Sequence, residues 1–177
     1  MKKLRIEELG RLDVEDYKKI IKRPLVVVLD NIRSYHNVGA VFRTADAFRL
    51  EKVYLCGITG TPPHRDIHKT ALGASDTVDW EYYENAVDLV KKLKNDGFVI
   101  LCLEQAEGST ILNEFEISPN RKYALVVGHE VKGVQQEIID MCDFCLEIPQ
   151  YGTKHSLNVS VSAGIAMHYL SNLMPIE

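Results

Sequence analysis

The stretch "LVVVLDNIRSYHNVGAVFRTADAF", residues 25–48, changes its period halfway along. Residues 25–30 form a run with three successive β-branched residues, apolar up to its closing Asp30, the pattern of a strand covered on both faces. After a polar loop, Val38, Val41, Phe42, Ala45 and Phe48 keep the spacing of one helix face. Working outward, the same alternation recurs. "KVYLC" (52–56), "VDWEYY" (78–83), "FVILCL" (98–103), "YALVVG" (123–128) and "FCLEIP" (144–149) read as strands. "NAVDLVKKLKND" (85–96), closed by Gly97, and "VQQEIIDMC" (134–142) read as helices. Upstream, "EELGRLDVEDYKKIIKR" (7–23) has helical spacing and ends before Pro24, which disfavours helix at Arg23. Strands alternating with helices predict an α/β domain, a mostly parallel sheet with helices on both faces.

Composition narrows the function classes. The chain has 177 residues, 46% hydrophobic and 26% charged, enough for one domain with a real core. No window has the apolar length of a membrane span, and the start lacks the apolar centre of a signal peptide, so a soluble cytoplasmic protein without membrane partners is expected. The net charge of −4 conceals an asymmetry. Residues 1–75 hold 14 Lys and Arg against 9 Asp and Glu, whereas residues 76–177 hold 7 against 16. The first part therefore offers a basic face to phosphates, or else only a solvated helix surface around "DYKKIIKR".

Four cysteines are too few for a disulfide scaffold, and Cys56 and Cys102 lie in strand-like runs as reduced core thiols. Cys142 and Cys145 form a CxxC that follows a helical pattern instead of preceding one, contrary to a redox motif. Completing a zinc site with His64 and His68 does not fit the usual order and spacing of ligands, and no metal is expected.

Ligands of open α/β sheets bind beyond the carboxyl ends of strands. Four such places carry suggestive residues: the loop after Asp30, "LEQAEGST" (103–110), "VVGHEVKGV" (126–134) and "IPQYGTKHSLN" (148–158). No GxGxxG opens a helix and no GxxxxGK[ST] occurs, which disfavours dinucleotide enzymes and P-loop NTPases. The loops supply backbone and small residues instead, suited to a compact ligand held by main-chain groups.

Three segments in order, "NVGAVFRTADAF" (37–48), "ALVVGHEVKGV" (124–134) and "IPQYGTKHSLNVSVSAGIAMHYL" (148–170), resemble the motifs of the SpoU, or TrmH-like, RNA ribose 2′-O-methyltransferases of the SPOUT class. The resemblance covers roughly residues 25–172. It implies a C-terminal deep trefoil knot, a homodimer, S-adenosyl-L-methionine as cofactor and tRNA or rRNA as substrate. It divides the chain into an N-terminal helical extension, residues 1–23, and a methyltransferase domain, residues 24–177. By match, Gly128, Ile148 and Leu157 surround the cofactor, with Leu103 and Glu104 beside it. The catalytic positions are Arg43, Asn37, Glu130, Ser156 and Asn158. The last helix, expected to open with "SLN" and rich in small residues, packs across the dimer.

A sulfonium methyl is already activated, so such an enzyme chiefly aligns a ribose hydroxyl and assists loss of its proton. Arginine is always protonated and has no acceptor, so Arg43 is expected to grip a phosphate and stabilise the developing alkoxide. Asn37 is expected to cap the helix that follows it, and Glu130 to orient Arg43 or the loop. His129 fills a variable slot and is not expected to act as a base. "HKTALGA" (68–74) resembles the segment bordering the site, with Lys69 and Arg65 as phosphate contacts. Arg33, Tyr35 and His36 precede Asn37 and are candidates to touch RNA by charge and stacking. Gln150 departs from the pattern, standing where many members have methionine. About two dozen residues precede the first strand, too few for an independent domain. RNA recognition is thus expected to rest on the N-terminal helix with Lys18 and Lys22, the catalytic surface and the partner subunit. The alternative is a non-catalytic RNA- or S-adenosylmethionine-binding protein of the same fold.

Overall fold

The computed structural model describes residues 1–174 and 176, apart from the side chain of Ile6. Seven strands form one sheet in the order β3-β2-β1-β6-β4-β7-β5. They are β1 (Arg23–Asp30), β2 (Leu50–Cys56), β3 (Trp80–Tyr83), β4 (Phe98–Leu103), β5 (Thr110–Ile111), β6 (Lys122–Val127) and β7 (Phe144–Glu147). Every pairing between these strands is parallel.

The run that opens the sequence reading is the sheet's centre. Leu25, Val27 and Leu29 enter one core, with α2 (Tyr35–Ala47), α3 (Arg65–Ala71), α4 (Ala74–Thr77) and α7 (Val159–Leu173). Val26 and Val28 enter the other, with α5 (Ala86–Asn95) and α6 (Gln136–Met141). Strand residues alternate faces, so a strand with both faces covered must be apolar throughout. The helices α2 and α3 meet at Gly39, where a Cβ would overlap Thr70 and the Ile67 carbonyl.

Two expectations need correction here. Residues 7–23 do not form one helix. Gly10, at φ 57°, ends a 3₁₀ turn over Ile6–Leu9, and Asp13 caps a separate α1 over Val14–Lys19. Arg23 and Pro24 already belong to β1, whose register with β2 shifts between Arg23 and Val26 around the proline. The last helix begins at Val159 and not at Ser156, with Asn158 as its N-cap. The short elements α3, α4 and β5 had no sequence counterpart, being too brief to establish a period.

Arg23 closes the amino end of the sheet. Its Nε donates to the carbonyls of Ser171 (2.9 Å) and Met174 (3.0 Å), and its Nη1 to that of Phe48 (2.7 Å). One cation thus serves the carboxyl ends of α2 and α7, where carbonyls lack helical partners and the dipole favours positive charge. Tyr17 packs into the core beneath α2, and its hydroxyl donates to the Asp46 carbonyl at 3.1 Å. Replacing Arg23 by Met should lower stability by about 1–3 kcal/mol, seen as a lower urea midpoint at unchanged slope. An unchanged midpoint would show that water replaces the guanidinium without cost.

Candidate functional site

Because the strands are parallel, α2 and α7 both begin at the carboxyl edge, beside the loops that follow β4 and β6. The β6 loop is a closed turn. His129 and Gly133 exchange backbone hydrogen bonds, 3.1 Å from His129 N–H and 2.8 Å from Gly133 N–H. The His129 Nδ1 accepts from the N–H groups of Val131 (3.0 Å) and Lys132 (3.3 Å), which makes this ring a structural part of the turn. Gly133 sits at φ 70°, a left-handed conformation that favours glycine, and a Cβ on Gly128 would overlap the backbone of Gly133 and Val134. Glu104 anchors the turn from β4. One carboxylate oxygen accepts from Val134 N–H at 3.0 Å and the other from Gln105 N–H at 2.9 Å.

Glu130 projects from this turn to the loop after β1. It accepts from the backbone N–H groups of Arg33 and Ser34 and from the Asn37 side-chain amide, each at 3.0 Å. The carboxylate therefore ties the β6 turn to the loop after β1, and its hydrogen-bond partners do not include Arg43. Asn37 is not the cap of α2. Ser34 takes that place, its Oγ accepting from Asn37 N–H at 3.4 Å, and Asn37 lies within the first turn. Its own oxygen accepts from the Asn158 amide at 3.2 Å. Asn158 in turn caps α7, its oxygen accepting from the N–H groups of Ser160 (2.9 Å) and Val161 (3.4 Å). The chain Glu130, Asn37, Asn158 thus joins three loops distant in sequence.

One cavity of about 390 Å³ opens where these loops meet. Leu103, Glu104, Gly128, Ile148 and Leu157 all form its wall, so the five positions expected to surround a cofactor converge. Glu130, Ser156 and Asn158 line it too, and Gln150 stands at the departure noted in the sequence. The Gln105 amide donates to the His155 carbonyl at 3.1 Å, holding the segment after β7 beside the loop after β4. Arg43 lies exposed on α2 within two turns of Asn37.

The candidate RNA contacts divide. Arg33 is exposed in the loop that Glu130 orders, and Arg65 and Lys69 are exposed on α3. Lys18 and Lys22 lie by the amino end of β1, away from the cavity. Lys18 is exposed, whereas Lys22 sits over the Tyr17 ring at 3.4 Å and donates to the Tyr17 carbonyl. Sequence reading missed Asp30. This fully buried carboxylate accepts from Asn31 Nδ2 (2.8 Å) and from the N–H (3.2 Å) and Nε2 (2.8 Å) of Gln135, bolting the β1 loop to the start of α6. The available signal was a lone acid ending a wholly apolar strand. The Cys145 thiol donates to the Glu104 carbonyl at 3.5 Å, and burial raises it to about 11 and the Cys56 thiol to about 12.

Burial pushes the Glu130 carboxyl upward, but its hydrogen bonds from the loop backbone and from Asn37 outweigh this and hold it below the ordinary 4.5. A carboxyl depressed on folding contributes fully above its unfolded value and loses that contribution as pH falls through the folded one. The Asn37 amide resonances should accordingly hold steady from about pH 7 to about 5 and move only in more acid solution. In Glu130→Gln they should start displaced and lose the acid transition. An acid transition retained in that variant would assign it to another group.

The model of the SpoU rRNA methylase family matches residues 24–168. A 23S rRNA (guanosine-2′-O-)-methyltransferase of Nitrosomonas europaea is 34% identical over 155 residues, covering 87% of this chain, which spans only 58% of that relative's length. A tRNA (guanosine(18)-2′-O)-methyltransferase of Aquifex aeolicus is 33% identical over 147 residues, covering 83% of this chain and 68% of the relative. The crystal structure of an A. aeolicus TrmH/SpoU tRNA modifying enzyme superposes with a TM-score of 0.78 at 31% identity, covering 90% of this chain and 79% of that one.

Proposed function

We propose that this chain, which belongs to the SpoU rRNA methylase family, transfers a methyl group from S-adenosylmethionine to the 2′-hydroxyl of a ribose in tRNA or rRNA. The observation that carries the reading is the convergence of Leu103, Glu104, Gly128, Ile148 and Leu157 on one cavity, beside the Asn37–Asn158 contact. The cavity fits the cofactor. Its 390 Å³ falls within the range of about 300–1,000 Å³ usual for ligand sites, and its mixed wall, with Leu103, Ile148 and Leu157 beside polar loop groups and a tight backbone turn, suits an adenosyl group. The names of the N. europaea and A. aeolicus relatives support the same chemistry.

S-adenosylmethionine supplies an electrophilic methyl group on a sulfonium centre. The protein's part is alignment and charge. Leu157 and Ile148 would hold the cofactor by apolar contact, and the turn from Gly128 to Gly133 would offer it main-chain groups. Asn37 and Asn158, held by Glu130 and by capping, are positioning residues that fix the floor on which the ribose rests. Ser156 faces the same space as a hydrogen-bonding partner for the substrate. Arg43 holds the adjoining phosphate with its planar fork and stabilises the forming alkoxide. It cannot act as the base, so the proton leaves through phosphate or water.

The RNA lies along the carboxyl edge across Arg33, Arg65 and Lys69, while Lys18 and Lys22 reach only RNA that extends around the amino end. Residues 1–23 act as an extension of a methyltransferase domain placed at residues 24–177, joined to it by Tyr17 in the core and by Arg23, which already enters β1. The active unit is a homodimer through α7, where Val161 and Ile165 lie one turn apart and remain exposed to 50% and 41%. The segment after β7 threads a loop as a trefoil knot, in keeping with β7 being an interior strand between β4 and β5. Among the described residues no helix is long and apolar enough to cross a membrane. The proposed place of action is the cytoplasm.

The decisive test is transfer of labelled methyl to total RNA that lacks the modification, followed by digestion to nucleosides. Label is expected as a 2′-O-methylnucleoside and should vanish with Arg43→Ala. Arg43→Lys keeps the charge but loses the fork, and its kcat should fall by about tenfold or more with cofactor affinity unchanged. Near-native turnover in that variant would refute the bidentate role, and absence of label despite cofactor binding would refute the reaction.

A further inference from the structure

A second cavity, of about 270 Å³, is walled by α3, α4 and the turn at Pro62 and Pro63, none of which borders the first. The two prolines provide an apolar wall, His64 and His68 present imidazole rings, and Arg65 and Asp76 add opposite charges that are both exposed. This cavity is linked to the methyl-transfer site through aromatic stacking. The His64 ring lies 3.7 Å from that of Tyr35 with the planes 9° apart, and Tyr35 opens α2 only two residues before Asn37. Gly60 keeps the stack seated, since a Cβ there would overlap the Tyr35 ring.

We propose that this second cavity takes the base of a nucleotide flanking the methylated ribose, with guanine preferred. The inference rests on the RNA-methylating reading of the first site. Its size suits a single base and is small for a second cofactor. Proline and imidazole faces are stacking surfaces that any base accepts, and single-stranded RNA is recognised by splaying bases onto such surfaces. Arg65 and Lys69, one helical turn apart on α3 and both exposed, are placed for the phosphates on either side. The Asp76 carboxylate has only acceptors to offer. Guanine alone presents two adjacent N–H donors, N1–H and the N2 amino group, on its Watson–Crick edge, whereas the other bases set an acceptor against the carboxylate. With one stacked ring pair between the Asn37 turn and the cavity, neighbouring nucleotides of one strand span the two sites.

The test uses the intact protein saturated with S-adenosylhomocysteine, which occupies the first cavity, and follows the His64 and His68 ring resonances while GMP or AMP is added. GMP should move both resonances at lower concentration than AMP. Ser75 also lines the cavity, so Ser75→Trp should abolish the shifts while S-adenosylhomocysteine still binds, which certifies the fold. The same variant should raise the KM for RNA by about tenfold or more with little change in kcat, the signature of lost stacking contact. Asp76→Asn should erase the preference for GMP, and a preference that persists would refute the role of Asp76. The cavity assignment is overturned if neither nucleotide moves the His68 signal, or if Ser75→Trp methylates RNA with the wild-type KM. Should wild type methylate no RNA at all, the reading of the first site fails separately, and the nucleotide titration still decides the second.

Discussion

All seven strands run the same way, and this one constraint organises the molecule. A parallel sheet needs a crossover between successive strands, so every helix is obliged to pack on a face and every strand to deliver its chain to the same edge. The loops after β1, β4, β6 and β7 therefore meet although they lie far apart in sequence. Carboxylates then lock the meeting in place. Glu104 secures the β6 turn, Glu130 carries that turn to the β1 loop, and buried Asp30 fastens the β1 loop to α6. Each uses carboxyl oxygens to accept from backbone N–H groups that irregular loops would otherwise leave unpaired.

Much of this fold is legible in the residues, for a physical reason. A strand between two layers must be apolar on both faces, so the run that ends at Asp30 announces its central place, and the runs at 98–103 and 123–128 repeat the sign. The N-terminal helix misled because apolar spacing over residues 7–23 satisfies a helical period even though Gly10 adopts a left-handed turn and Asp13 restarts the helix. Residues 65–77 stayed silent, their two short helices offering too few turns to repeat a pattern.

The site was legible in its membership more than in its wiring. The expected cofactor positions line one cavity, and they were reached through the order of three motifs and not through composition or period. The roles of Asn37, Glu130 and Asn158 depend on contacts between residues about a hundred positions apart, which no local pattern encodes. Asn37 looks like a cap because asparagine caps well, yet Ser34 stands three residues earlier and takes the place. Freed of that duty, the Asn37 amide becomes the joint between a carboxylate and another asparagine.

The pairing of the central strand also bears on how the chain is made. β1 emerges early and finds β2 soon afterwards, but its other neighbour is β6, with Leu25 opposite Tyr123. Until residues 122–127 leave the ribosome, one edge of the most apolar strand has no native partner, and β4 waits for the same strand. Closing so long a loop is entropically slow, and contacts of this range favour slow folding. The nascent first half is consequently a stretch of chain with an open, hydrophobic strand edge, a form that holding chaperones recognise and that aggregates when they are scarce. The finished sheet carries little of that liability, since its two edges are the four-residue β3 and the two-residue β5.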